Sequence, residues 1–262
     1  MKKRLDQYLQ EAGYFESRSR AQAAVMEGTV SVDGRTDVKP GTQVTGAEDI
    51  EVTDGASRYV SRGGFKLAGA LADLGVDVRG MTVIDVGSST GGFTDCLLQA
   101  GASGIIAVDV GKGQLHARLR GDERVTVLEG VNARELDAVD LPMRPDLAVI
   151  DVSFISLEKV LEPVSRALAA GGSMLALVKP QFEAGVGKAP KGVVRDPAVH
   201  LEVLSGLAAW LKEKGFALRG VTASCLKGPK GNVEFFMLID AWSGEGVGVG
   251  EIDGAVRRAG SM

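Results

Sequence analysis

The sequence predicts an α/β chain: a mostly parallel seven-stranded sheet with helices on both faces and an antiparallel last strand, preceded by a small α+β unit. Three observations carry that prediction. From residue 81 onward, apolar strand runs alternate with helical stretches. A glycine-rich segment, residues 85–95, stands where the first of these strands hands over to a helix. The last two strand runs are joined only by KGPKGN, too short for a crossover, so they must pair antiparallel.

The elements follow in chain order. RLDQYLQEAGYF (4–15) carries Leu5, Tyr8, Leu9 and Ala12 at helical spacing. A second helix spans SRAQAAVMEG (19–28), with Ser17 or Ser19 as its cap and Gly28 as its stop. TVSVDGRTD (29–37) reads as a strand and an Asp33-Gly34 hairpin turn, and DIEVTD (49–54) as one more strand. SRYVSRGGF (57–65) is polar and basic, with Gly63-Gly64, and reads as a linker before the helix KLAGALADLG (66–75). The strands of the large sheet are then expected at 81–87, 105–110, 125–130, 147–154, 173–180, 218–226 and 233–242. Helices are expected at 92–101, 155–172 and 200–215. The domain boundaries implied are 1–57, a linker at 58–64, and 65–242. The last twenty residues hold six glycines and are expected to be a flexible tail, 243–262.

Composition narrows the class. Glycine numbers 36 in 262 residues, about double the usual ~7%, with no Gly-X-Y period. Aromatics are only 5%, so Val, Leu, Ile and Ala must build the core. Two cysteines, Cys96 and Cys225, make no disulfide framework, and a reducing, cytoplasmic setting is the default. The basic start is followed by no apolar run of signal-peptide length, and no stretch approaches a membrane span. His116 and His200 lie far apart and no CxxC or HExxH spacing occurs, so no metal site is expected.

The segment DVGSSTGGFTD has the character of a ligand loop. Gly87 permits a tight turn, and Gly91 and Gly92 let backbone approach a ligand closely. Asp109 ends the second strand, 22 residues after Gly87, where an acid commonly bonds ribose hydroxyls. Neither the dinucleotide GxGxxG nor the phosphate loop GxxxxGK[ST] is present. Asp85 before the loop would repel a pyrophosphate but suits a cation, and S-adenosylmethionine, with an amino group, a sulfonium and no phosphate, fits. The expected cofactor contacts are Asp85, Gly87, Ser88, Ser89, Thr90, Gly91, Gly92, Phe93, Asp109, Asn132 and Asp151.

Four further residues gather at the same sheet edge. Asp151 ends the fourth strand and Lys179 the fifth, both on the side where such sheets bind ligands. Glu234 begins the antiparallel last strand, which starts at that edge. Lys66 stands just before the first helix of the large domain. A lysine becomes a general base where desolvation and a neighbouring positive charge disfavour its ammonium form.

Taken together, Lys66, Asp151, Lys179 and Glu234 resemble the Lys-Asp-Lys-Glu tetrad of the FtsJ-like ribose 2′-O-methyltransferases. RLDQYLQEAGYFESRSRAQAAVMEGTVSVDG resembles the small RNA-binding domain of the ribosomal-protein S-four type. The order of the two domains, with RYVSRGGFKL, DVGSSTGGFTDCLLQ, VDVGKGQL, DVSFISL, LVKPQFE, GVVRDP and NVEFF, is similar to the TlyA family, also called hemolysin A. The resemblance implies a Rossmann-like methyltransferase fold and S-adenosylmethionine as cofactor. It also implies methylation of a cytidine 2′-hydroxyl in ribosomal RNA of one or both ribosomal subunits, with Lys179 as base and the other three as its support.

The acidic average, net −4, argues against an RNA partner, but the charge is local. Residues 58–66 carry Arg58, Arg62 and Lys66 with no acid. Residues 179–195 carry Lys179, Lys188, Lys191 and Arg195 against Glu183 alone, and KGPKG adds Lys227 and Lys230. Lys2, Lys3, Arg4, Arg18 and Arg20 form a basic group on the small domain. Phosphate contacts need only such local charge. The expected RNA contacts are Arg4, Arg18, Arg20, Arg62, Lys188 and Lys191. Three rivals stand beside this reading. An RNA-binding chaperone or regulator with a decayed cofactor site is disfavoured by the intact glycine loop and tetrad. A pore-forming hemolysin is disfavoured by the lack of a membrane span. A base methylase is disfavoured because DVSF stands where an Asn/Asp-Pro-Pro-aromatic motif would be expected.

Overall fold

The computed structural model describes residues 2–15, 17–52, 59–185, 187–228, 231–241 and 249–260. It divides into two compact units, Met1–Arg62 and Gly63–Met262.

In the small unit, β1 (Lys3–Arg4) runs into α1 (Leu5–Glu11), followed by α2 (Arg18–Glu27), β2 (Val30–Val32), β3 (Gln43–Val44) and β4 (Ile50–Val52). The first helix is shorter than expected at both ends, because Lys3 and Arg4 pair with Val44 and Gln43 and Gly13 turns left-handed. Ser17, not Ser19, caps α2 by accepting from Arg20 N, and Gly28 ends it at φ +73°. The Asp33-Gly34 turn forms, with Val32 and Arg35 exchanging both backbone hydrogen bonds. The expected hairpin stops at that single bridge, and β2 pairs antiparallel with β4 instead. Leu5, Leu9, Ala21, Val25, Val30 and Val44 close the small core.

The large unit opens with α3 (Gly63–Asp73), so Gly63 and Gly64, expected in a linker, form the helix's first turn. Then come β5 (Thr82–Val86), α4 (Gly92–Gln99), β6 (Gly104–Asp109), α5 (Ala117–Arg120), β7 (Val125–Glu129), β8 (Leu147–Ile150), α6 (Leu161–Ala167), β9 (Ser173–Val178), α7 (Pro180–Glu183), α8 (Pro197–Glu213), β10 (Ala217–Ala223), β11 (Phe235–Asp240) and α9 (Val249–Gly260). The sheet order is β10-β11-β9-β8-β5-β6-β7. β11 is antiparallel to both neighbours, and pairs β5–β6, β6–β7, β5–β8 and β8–β9 are parallel. The inner strands are buried along nearly their whole length, as continuous apolar runs in parallel sheets must be. The chain leaves β5 for β6 on one side and returns to β8 on the other. The topological switch point therefore lies between the carboxyl ends of β5 and β8, where ligands bind in this architecture.

Two further expectations fail. The helix expected over 155–172 is a 3₁₀ turn, Leu157–Lys159, and a separate α6. In one continuous helix the Pro163 ring would meet the carbonyl of Lys159. The tail expected to be flexible contains α9. Ile252, Ala255, Val256 and Ala259 recur at helical spacing and are buried with residues of α8 and β10 in the main core. Residues 242–248 lie outside the described residues. No described helix is long and apolar enough to cross a membrane.

Candidate active site

The site starts from the backbone at the end of β5. Gly87 N and Ser88 N both donate to Val108 O, at 2.8 and 3.0 Å, bending the chain over the end of β6. Gly87 holds φ +88°, and a Cβ there would stand 2.4 Å from the carbonyl oxygen of Asp151. Gly91 holds φ +97°, and a Cβ there would meet Leu119 at 2.3 Å and Leu115 at 2.8 Å. Only glycine serves at either position. Asp109 ties the turn together: its Oδ2 accepts from Ser89 N at 2.8 Å and its Oδ1 from Gly111 N at 2.7 Å. Each oxygen keeps a lone pair for a further donor.

Asp85 is 1% exposed. Its Oδ2 accepts from Thr94 Oγ1 at 2.6 Å, while its Oδ1 is buried and has no partner among the described residues. Burial pushes this carboxyl up to about 7, the Thr94 hydrogen bond opposes that, and the nearby Asp151 and Asp109 charges add to it. An unsatisfied buried acceptor at the switch point fits a cationic donor group such as an amine.

The tetrad residues form two ion pairs. Lys66, in the opening turns of α3 rather than ahead of it, donates to Glu234 Oε2 at 2.6 Å, and both are buried. Glu234 precedes β11, and its carbonyl accepts from Ser224 N. Its Oε1 is buried with no partner among the described residues, which leaves an acceptor for a hydroxyl. Lys179 Nζ lies 2.5 Å from Asp151 Oδ1 and donates to Ser153 Oγ at 2.8 Å. Asp151 N donates to Val86 O, so this pair stands directly beside the glycine turn. The register Phe235↔Val178 puts Glu234 and Lys179 one residue beyond the last paired positions of β11 and β9. Strand pairing therefore brings the two ion pairs to one edge. A cavity of about 320 Å³ opens at the opposite edge, beside Asp146, Gly171 and Ser173, and shares no residue with this site.

Not every expected cofactor contact is exposed to a ligand. Phe93 is 3% exposed and packs its ring against Phe236 at 6.0 Å, so its side chain anchors the loop in the core. Asn132 caps the 3₁₀ turn after β7 by accepting from Arg134 N, and Val131 N ties that loop to Asp109 O. Thr90 is exposed, and its carbonyl accepts from His116 N.

Sequence reasoning missed Thr94, Ser153 and above all Phe154. Phe154 is 89% exposed, holds φ +63°, and sets its ring 4.9 Å from that of Phe182. A bulky residue in that backbone region is strained, and such strain gathers at functional sites. The one available signal was an aromatic immediately after Asp151-Val152-Ser153.

The expected RNA contacts are all exposed, but several are engaged. Arg4 donates twice to the fully buried carboxylate of Asp6, and Arg18 donates to the same group at 3.2 Å. Arg4's hydrogen bond, with those of Gln22 and Arg18, holds Asp6 well below the usual carboxylate range despite burial. Lys3 pairs with Glu11 and Lys188 with Glu202. Within the basic group on the small unit, Arg4 and Arg18 are thus ordered around Asp6, and Lys3 is held by Glu11. Arg20, Arg62 and Lys191 are exposed. Arg58 and Lys230 lie outside the described residues.

Two lysine–carboxylate pairs at one sheet edge, Lys66–Glu234 buried and Lys179–Asp151 partly exposed beside the glycine turn, agree with a sequence match. Residues 59–241 match the FtsJ-like methyltransferases, and residues 3–50 match the S4 domain. The chain belongs to the FtsJ-like methyltransferase family. Several relatives of this methyltransferase match it over most of its length. The 16S/23S rRNA (cytidine-2′-O)-methyltransferase TlyA of Mycobacterium tuberculosis is 42% identical over 258 residues, 98% of this chain and 96% of that protein. Hemolysin A of Brachyspira hyodysenteriae is 38% identical over 88% of this chain and 97% of its own. A solved structure named "Putative hemolysin from Streptococcus thermophilus" is 40% identical, with a TM-score of 0.80 over 99% of this chain and 96% of that one. The resemblance to the TlyA family is borne out.

Proposed function

We propose that this methyltransferase transfers a methyl group from S-adenosylmethionine to the 2′-hydroxyl of a cytidine in ribosomal RNA, acting on ribosomal subunits in the cytoplasm. The observation that carries this reading is the juxtaposition of the Asp151–Lys179 and Lys66–Glu234 pairs with the Asp85–Gly92 turn at the switch point. S-adenosylmethionine, when bound, supplies an electrophilic methyl on a sulfonium. The unpartnered Asp85 oxygen suits its amino group, Asp109 suits ribose hydroxyls, and the glycine turn admits it without offering a phosphate a cation.

The remaining chemistry belongs to the chain. Lys179, after giving its own proton to solvent, takes the proton from the 2′-hydroxyl as the oxygen attacks. Asp151 and Ser153 orient the amine, and Asp151 neutralises the ammonium that results. Lys66 is held by Glu234 and orients the hydroxyl, with Glu234 Oε1 as a further acceptor. Positioning and charge placement supply much of the rate. The exposed Phe154 ring, paired with Phe182, offers a stacking surface for a base drawn out of its helix. The Asp6-centred arginines of the small unit, with Arg20 and Arg62, provide phosphate contacts that set register on the RNA.

A cation favours the ionised form of Asp85, so affinity for S-adenosylmethionine should rise as pH climbs through about 7 and then approach a plateau. Calorimetry on either side of that value checks this, and in Asp85→Asn the dependence should vanish. Phe154→Ala should weaken single-turnover methylation by about tenfold, the scale of one base-stacking contact of about 1–3 kcal/mol, without changing cofactor affinity. The reading as a whole is tested by incubating purified protein with S-adenosylmethionine and unmodified ribosomal subunits, then digesting the RNA to nucleosides. Mass spectrometry should detect 2′-O-methylcytidine. Methyl groups on a base, or none, would sink it.

A further inference from the structure

Between Asp151 and Leu157 the chain lies alongside Lys179–Glu183, and contacts lace the two segments in sequence order. Lys179 meets Asp151 and Ser153. The Phe182 ring meets that of Phe154. Glu183 Oε1 then accepts from Leu157 N at 2.8 Å. The first contact is the proposed base with its partner, the second is the proposed base-stacking surface, and the third has no place yet in the chemistry.

Glu183 is a partly buried carboxylate facing a backbone N–H across 26 residues of sequence. Burial raises its carboxyl above the ordinary range, which marks a charged group withdrawn from water at a cost in free energy. What it holds is a loop with little internal support. Phe154 sits at φ +63°, and residues 151–156 form neither helix nor strand before the 3₁₀ turn that Ser156 caps. A strained backbone persists only where its surroundings over-determine it.

We propose that Glu183 is a positioning residue for methyl transfer: it clamps the Asp151–Leu157 loop to α7, so that Ser153 stays on Lys179 and Phe154 stays presented to the substrate. Glu183 touches neither substrate nor cofactor and acts through the loop. The inference rests on the roles proposed above for Lys179 and Phe154.

The test compares Glu183→Gln, which keeps an acceptor oxygen, with Glu183→Met, which fills a similar volume without one, in the full chain. In Glu183→Met, amide exchange across residues 152–160 should quicken by at least about tenfold while the β5 and β9 strands stay protected. Single-turnover methylation should slow by at least about tenfold, and cofactor affinity should stay within about twofold. Glu183→Gln should restore both readouts to near wild type. In a Phe154→Ala background the methionine substitution should cost less than it does alone, because both act through one loop. Unchanged exchange in Glu183→Met, or an unchanged rate, would overturn the clamp. Should the methionine variant fail to fold, Glu183→Ala is read in the same way. A wild-type chain that methylates nothing contradicts the proposed function instead, and the exchange comparison still decides the clamp.

Discussion

Lys179→Ala is expected to abolish methylation while leaving S-adenosylmethionine affinity nearly intact. A positioned general base contributes about 10²–10⁴-fold, so the single-turnover rate should fall by at least that range's lower end. The variant also leaves Asp151 without its cation, but Asp151 is a quarter exposed and can be solvated, so the fold should survive. The glycine turn and Asp85 do not touch Lys179, which is why binding and chemistry should separate. A variant that methylates RNA at near wild-type rate would show the base assignment to be wrong. Calorimetry alongside the rate distinguishes a lost base from a lost cofactor site.

Gly87→Ala should do the reverse and damage cofactor binding first. The left-handed conformation costs a non-glycine residue about 1–2 kcal/mol by itself. The larger effect is steric, since the new Cβ would stand 2.4 Å from the backbone oxygen of Asp151. Backbone cannot rotate away as a side-chain tip can, so either the turn or the end of β8 must move. If the turn moves, Ser89 loses Asp109 and the cofactor site opens. If β8 moves, Asp151 shifts on Lys179. Misplacement of about 1 Å in such a site costs about 10²-fold in rate. Titration calorimetry should therefore show weak or no cofactor binding in a chain whose melting temperature falls by only a few degrees. Wild-type affinity would mean that the turn at Gly87 is not the cofactor cradle.

Much of the large unit was legible because its signals are local. A strand run buried on both faces, as in Ile105–Val108 or Leu175–Val178, needs no partner to be recognised. Once the strands are set, a parallel sheet brings the ends of β8 and β9 to one edge. The KGPKGN connection delivers Glu234 to the same edge. Asp151, Lys179 and Glu234 were therefore readable as a group. Lys66 was placed by its position just ahead of the first helix of the large unit, but its pairing with Glu234 spans 168 residues and leaves no mark in spacing.

What escaped was of two kinds. In α9 the periodic signal of Ile252, Ala255, Val256 and Ala259 was present, but the glycines around it outweighed it. At Asp6, Thr94, Phe154 and Glu183 the residue type alone is uninformative. Each acquires meaning from a partner on another segment or from a backbone angle, and neither leaves a mark in spacing. The same limit explains the basic group on the small unit. Arg4 and Arg18 read as surface charge until the buried carboxylate between them is seen.

Ribose methylation of ribosomal RNA by the Lys179 site is tested most directly by mapping 2′-O-methylation on ribosomal RNA from cells lacking this chain, and from the same cells complemented with wild type or Lys179→Ala. The expected result is loss of methylation at one or more cytidines in the deletion, return with wild type, and no return with Lys179→Ala. An unchanged methylation map in the deletion, or full restoration by Lys179→Ala, would contradict it.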